Sequence, residues 1–243
     1  MSNPVFSQRA MEGNERILNS EPMTVNGAIN KTFVLFLCLL ATSVYEYSLF
    51  LQGFTDKAMG LMMVGFVASI VVFIVIMFAR KTIQFMAPVY ALSEGLILGG
   101  LSVMFEQSYP GIVVQAVCAS FMAFFVMLVL YRAGIIKCTE KFRSVLMISM
   151  FSIVGIYLVQ IIGSFFHLSI PGLFGSGLIG IGFSAFVCII AALNFIIDFS
   201  TIEMGVQNMM DKSFEWYCGF GLMVTFIWLY VEVLNLLAKL RDH

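Results

Sequence analysis

Charge is what this sequence has least of. Lys, Arg, Asp and Glu make up 11% of its 243 residues, against 60% hydrophobic. A water-soluble domain carries about 25% charged residues, so a soluble globule is excluded and a polytopic membrane protein is implied. Neither sign dominates: the formal net charge is −1, which leaves no basic face of the kind nucleic-acid binding requires. Histidine is nearly missing, with only His167 and His243, and the five cysteines form no CxxC or other close pair. A zinc site is therefore not expected. Cys38, Cys118, Cys188 and Cys218 lie in or beside apolar runs, where a thiol acts as a small hydrophobe, and Cys138 lies in a loop. No basic segment followed by a short apolar core and a small-residue cleavage site opens the chain, so no cleavable signal peptide is expected.

What is present is a series of apolar runs. Residues 1–31 are polar and of mixed charge (Arg9, Arg16 and Lys31 against Glu12, Glu15 and Glu21) and read as a cytoplasmic N-terminal tail. Residues 32–243 then read as one all-α membrane domain. Its seven runs lie at about 33–51, 58–79, 86–105, 112–131, 145–165, 173–199 and 219–238, each near the roughly 20 residues a membrane helix needs. Short connections favour antiparallel neighbours in one bundle. A longer link of about twenty residues is expected from Ser200 to Cys218. No large soluble domain is expected, so any chemistry or transport belongs inside the bundle.

Basic residues in short loops set the orientation. Ten fall on the side of the N-terminus (Arg9, Arg16, Lys31, Arg80, Lys81, Arg132, Lys137, Lys141, Arg143 and Lys212), and three on the other (Lys57, Lys239 and Arg241). The N-terminus is thus expected in the cytoplasm. A re-entrant last segment would sharpen the bias, but the length of 219–238 favours a full crossing. Small residues at helical spacing (Ser176, Gly180 and Ser184; Gly95, Gly99 and Gly100) read as close helix packing.

Four carboxylates fall in or at the edge of the apolar runs: Glu46, Glu94, Asp198 and Glu232. Burying a carboxylate in hydrocarbon costs several kcal/mol on most scales, so such a group faces a partner or a water-filled cavity. Asp198 and Glu232 each lie in a polar stripe. Thr225, Trp228, Glu232, Asn235 and Lys239 recur at helical spacing in the last run; Ser184, Cys188, Ala191, Asn194, Asp198 and Thr201 do so in the run before. The two stripes are expected to face each other. The two acids can meet only if the sixth helix continues through about Glu203. In contact they would share a proton, and with Asn194, Asn235 and Glu94 they could offer oxygens to a passing calcium ion. Arg80, ending the second run, could pair with Asp198, although an ordinary basic flank reads equally well. Glu46, between Tyr45 and Tyr47, fits a wet rim position as well as a cavity lining. Glu94 is an even choice between cavity lining and packing.

The C-terminal stretch carries a resemblance. The DFSTIE of 198–203, the EWY of 215–217 and the TFIWLYVEVLNLL of 225–237 resemble the Bax inhibitor-1 family (the transmembrane BAX inhibitor motif proteins), most closely its bacterial branch. The NPVFS of 3–7 and the APVYALSEG of 87–95 are similar to that branch too. The resemblance implies a seven-helix bundle with the last helix at its centre, in a bacterial cytoplasmic membrane. It also implies a pH-sensitive calcium leak channel gated by two acids, which map onto Asp198 and Glu232, with a latch arginine corresponding to Arg80. The second acid is aspartate in the studied members and glutamate here. Calcium, protons and the bilayer are then the partners; no resident cofactor and no enzyme activity are expected. The GxGD acid of an intramembrane aspartyl protease is missing, since Asp198 sits between Ile197 and Phe199, and a rhomboid-like serine elbow is missing as well. The competing reading is a non-conducting regulator that binds other membrane proteins or proteases, although the sequence names no partner. A proton-coupled transporter lacks support from an inverted repeat.

Overall fold

In hydrocarbon no water is available to backbone N–H and C=O groups, so a spanning segment must bond within itself. The apolar runs accordingly form helices. A computed structural model describes residues 21–166 and 172–243, and seven α-helices run through them. They are α1 (Val25–Leu51), α2 (Thr55–Phe78), α3 (Ile83–Ser108), α4 (Ile112–Arg132), α5 (Glu140–Phe165), α6 (Leu178–Gln207) and α7 (Phe214–Asp242). All seven are long and apolar enough to cross a membrane. At about 1.5 Å per residue even the shortest, α4, reaches the roughly 30 Å of a bilayer core. His167 lies outside the described residues.

Two boundaries differ from the sequence reading. The first helix starts at Val25, inside the stretch expected to be tail. Thr24 caps it, its hydroxyl accepting from the Gly27 N–H at 2.9 Å, which satisfies one of the orphan donors of the first turn. The sixth helix runs on to Gln207, leaving only residues 208–213 as a link instead of about twenty. Its polar residues bond back into the helix: Thr201 Oγ1 donates to Ile197 O at 2.8 Å and Asn208 Nδ2 to Met204 O at 2.8 Å. Polar residues that satisfy themselves this way do not end a helix.

The expected central place of the last helix holds. α7 packs against α1, α3, α4 and α6, while α2 rests on α1 and α3, and α5 rests on α6. Half of the most apolar stretch of α7 is buried, against 11% for α5. α7 is one unbroken helix, as a full crossing requires. It is pinned along its length: Tyr230 and Ser102 share a buried hydrogen bond at 2.7 Å, Arg241 Nη1 donates to Pro110 O at 2.9 Å, and the Tyr109 hydroxyl donates to Asp242 at 2.6 Å. An aromatic cluster fills the α1–α4–α6–α7 interior, with Phe36 edge-on to Phe226 at 5.0 Å and Phe124 edge-on to Phe195 at 5.1 Å.

The glycines of α3 set the approach of α1. Ser43 Oγ donates to Gly95 O at 2.9 Å, and a Cβ at Gly95 would lie 2.0 Å from Thr42 Oγ1 and 2.3 Å from Leu39 O. Gly95→Ala is expected to cost about 1–3 kcal/mol through overpacking. Gly60→Ala, on an α2 face where an added methyl meets nothing, should leave stability unchanged or slightly raise it. Thermal unfolding of both variants in detergent checks the contrast.

Candidate functional site

The α6–α7 seam brings the two polar stripes together. Lys239 Nζ donates to Ser184 Oγ at 2.8 Å and to Gly180 O at 3.3 Å. At the other end of the seam Asp198 faces Thr225, and a Cβ on Gly221 would lie 3.5 Å from Asp198 Oδ1. These contacts define one antiparallel register. In it Glu232 falls opposite Cys188, which it faces, and not opposite Asp198. Thr225 and Glu232 are seven residues apart, so the acids sit about 10 Å apart along the seam. The expected hydrogen-bonded pair is therefore not formed, and no single calcium site uses both acids. The physical reason is the register itself: pairing the acids would need α7 to slide by about two turns, away from the Lys239–Ser184 contact.

Each acid has its own surroundings. Glu232 is 3% exposed. Its Oε1 accepts from the Tyr157 hydroxyl at 2.8 Å and from Trp228 Nε1 at 3.2 Å, while Oε2 is buried without a partner. Tyr157 belongs to α5, whose backbone lies against α6, so its hydroxyl ties a peripheral helix to the central one. The ring is positioned by a local cluster in which Leu146 and Ile153 of α5 meet Val187 and Ile190 of α6, with Phe183 and Trp228 at the margin. Asp198 Oδ2 is likewise buried and unpartnered. A buried polar oxygen without a partner costs about 1–3 kcal/mol, more when charged, and such orphans mark places where a proton, water or ion belongs.

The remaining expected residues are scattered. Asn194 Nδ2 donates to Ile190 O of its own helix at 2.9 Å. Asn235 is half-buried on the α7 stripe. Glu94 lies between Ser69 of α2 and Tyr90 of its own helix. Glu46 is not at a wet rim. It is 0% exposed, with both oxygens unpartnered and its Cβ and Cγ packed over Gly99. The close α1–α3 approach that those glycines permit is what encloses it. Arg80 lies in a short 3-10 turn, Arg80–Thr82, between α2 and α3; its side chain, and so the latch to Asp198, falls outside the described residues. Among the described residues no group of three or more His, Cys, Asp or Glu side chains gathers in a metal-binding arrangement.

Sequence reasoning missed Tyr157 and Glu215. A tyrosine deep in an apolar run was the available signal for the first, because its hydroxyl needs a partner there. Glu215, in the EWY stretch, is 2% exposed and accepts at Oε1 from the Thr24 N–H at 3.0 Å and the Thr24 hydroxyl at 3.2 Å. It places a carboxylate at the N-terminus of α1, where the helix dipole favours one. Beside it Lys31 Nζ lies 4.9 Å from the centre of the Trp216 ring.

The comparisons with known proteins agree with this architecture. A family model described as Bax inhibitor 1 like matches residues 3–242. The chain belongs to this family. No curated protein and no solved structure matched it. For this Bax inhibitor 1 like protein, then, the EWY stretch has a concrete structural role: it clasps the start of α1 to the first turn of α7.

That clasp continues outside the helices. Pro22 and Asp211 form an antiparallel bridge, Met23 N–H donates to Met210 O at 2.8 Å, and Lys212 pairs with Glu21. The hydrogen bond and charge of Lys212 hold the Glu21 carboxyl below its ordinary 4.5, and Glu21 in turn holds Lys212 above its ordinary 10.5. The depressed acid contributes above 4.5, and its contribution is lost as pH falls through the lower folded value. The raised lysine contributes below 10.5, and its contribution is lost as pH rises further. The pair is thus constant across neutrality. Proteolysis at residues 21–24 is expected to be flat between about pH 6 and 9, and to accelerate at a single pH in Glu21→Gln.

The Glu232 contacts make a second prediction. In Glu232→Gln the side-chain carbonyl can still accept from Tyr157 and Trp228, so the fold is expected to hold within about 1 kcal/mol. Tyr157→Phe removes the shorter donor from a buried acceptor and should cost about 1–3 kcal/mol. Thermal unfolding of the two variants against wild type checks the order.

Proposed function

We propose that this protein is a pH-sensitive cation leak pathway, with calcium as the permeant ion and Asp198 and Glu232 as two acid stations in series along the α6–α7 seam. The reading places the N-terminus in the cytoplasm of a cell whose cytoplasmic membrane holds the protein, following the ten-to-three bias of basic residues. On that orientation Asp198 lies toward the cytoplasmic end of the seam and Glu232 toward the outer end, below Lys239. The observation that carries the proposal is the pair of orphaned oxygens, one on each acid, on a single seam about 10 Å apart.

A protonated acid sits in such a seam without a counter-charge. An ionised one draws in water or a cation, because an uncompensated charge in low dielectric is costly. Loss of the proton at either station would therefore wet the seam locally, and separation lets each station hold a cation weakly enough to release it. Glutamate at 232 reaches one methylene further than aspartate would, which is what lets Oε1 meet both Tyr157 of α5 and Trp228 of its own helix. The proposal involves no covalent chemistry and no resident cofactor.

Purified protein in liposomes loaded with a calcium dye tests this. Calcium influx is expected to change with pH between about 5 and 8. Asp198→Asn and Glu232→Gln should each lower it about tenfold or more, or flatten its pH profile. Flux and profile unchanged in both variants would end the acid-station mechanism. No flux from folded wild type at any pH would instead favour the non-conducting regulator, with Tyr157–Glu232 as a structural latch.

A further inference from the structure

Away from the seam, a cleft of about 1660 Å³ opens between α1, α4 and α6. It is larger than the roughly 300–1,000 Å³ of a small-molecule site. Its α1 wall runs from Val25 to Leu40, about 22 Å along the helix axis. That exceeds one leaflet of a core about 30 Å thick. The walls are apolar and lipid-accessible: Phe33, Leu37, Phe121 and Val129 line it and are exposed. All three helices contribute the part nearest the side of the N-terminus, so the cleft begins at that membrane surface and runs inward.

The mouth is of a different character. Arg132, ending α4, and Lys137, in the α4–α5 link, line it. Both are exposed, and neither side chain makes a hydrogen bond or ion pair among the described residues. Glu203 also lines the mouth, held by the Tyr131 hydroxyl and by Gln207 Nε2 at 3.4 Å. The local balance is two cations to one engaged acid. A lipid-facing apolar face alone would take any acyl chain. Two free cations above a cleft one leaflet deep select for a phosphate that lacks its own positive partner.

We propose that this cleft is a binding site for one anionic phospholipid, with a chain laid between α1, α4 and α6 and the headgroup phosphate on Arg132 and Lys137. The site is independent of the acid stations. It reaches the bundle interior through Ser200 and Leu222, which also line it, so an occupied cleft would brace α6 on the flank away from Asp198.

Native mass spectrometry of the full chain, titrated with phosphatidylglycerol or with phosphatidylcholine of the same chains, tests the site. One phosphatidylglycerol is expected to bind at least about tenfold more tightly than phosphatidylcholine. Arg132→Gln with Lys137→Gln should abolish that preference, and both residues are exposed, so the fold should survive. Arg143→Gln, in the same basic region but outside the cleft, should retain it. Val129→Trp, which fills the cleft, should weaken both lipids. Equal affinities in wild type, a preference surviving the double substitution, an equal loss in Arg143→Gln, or unchanged binding in Val129→Trp would each overturn the proposal.

Discussion

The cost of placing carboxylates in hydrocarbon organises this protein. Asp198 and Glu232 are tolerated because the helices that carry them are among the most enclosed by neighbours, and because Glu232 finds polar companions in Tyr157 and Trp228 while Asp198 faces Thr225. α7 can be central only if its own polar stripe is covered, and α6 covers it from Asp198 to Ser184. The outer helices need no such matching. α2 and α5 present apolar faces to lipid, and the Tyr157 hydroxyl of α5 reaches the centre. A bundle built this way has a stiff polar axis inside a replaceable apolar wall.

The ends of α7 show how that axis is held in register. At one end Glu215 receives the N-terminus of α1 and the chain before α1 pairs with the α6–α7 link. At the other, Arg241 and Asp242 bond to the turn between α3 and α4. A slide of α7 by two turns, which would be needed to bring Glu232 level with Asp198, would break both sets together with the Lys239–Ser184 contact. The separation of the acids is thus a property of the whole bundle. It also weakens their coupling: charge on one reaches the other across about 10 Å and not through a shared hydrogen bond.

Membership of the Bax inhibitor 1 like family covers nearly the entire chain, and it agrees with the seven-helix architecture and the central last helix. It does not by itself assign a flux or an ion. Those rest on the orphaned oxygens of the seam, while the cleft on the α1–α4–α6 side rests on its size and the two exposed cations at its mouth. The two features lie on opposite flanks of α6, which makes that helix the element through which lipid and ion occupancy would meet.

Composition and periodicity were enough for the class, the number of spans and the facing of the two stripes, because an apolar run of about 20 residues has few alternatives and helical spacing fixes which residues share a face. Glu232 was legible as a buried acid for the same reason. Helix ends were less so: Ser200, Thr201 and Glu203 look like a link in one dimension, yet their hydroxyls and carboxylate find partners in the helix or on α4. What only the tertiary structure decided was relative height. Periodicity gives the direction in which Asp198 and Glu232 point but contains no information on how far one helix is slid along another. That offset depends on contacts far apart in the chain, such as Lys239 with Ser184 and Thr24 with Glu215. The enclosure of Glu46 and the reach of Tyr157 have the same origin, since both depend on how closely a neighbouring helix approaches and not on any local pattern.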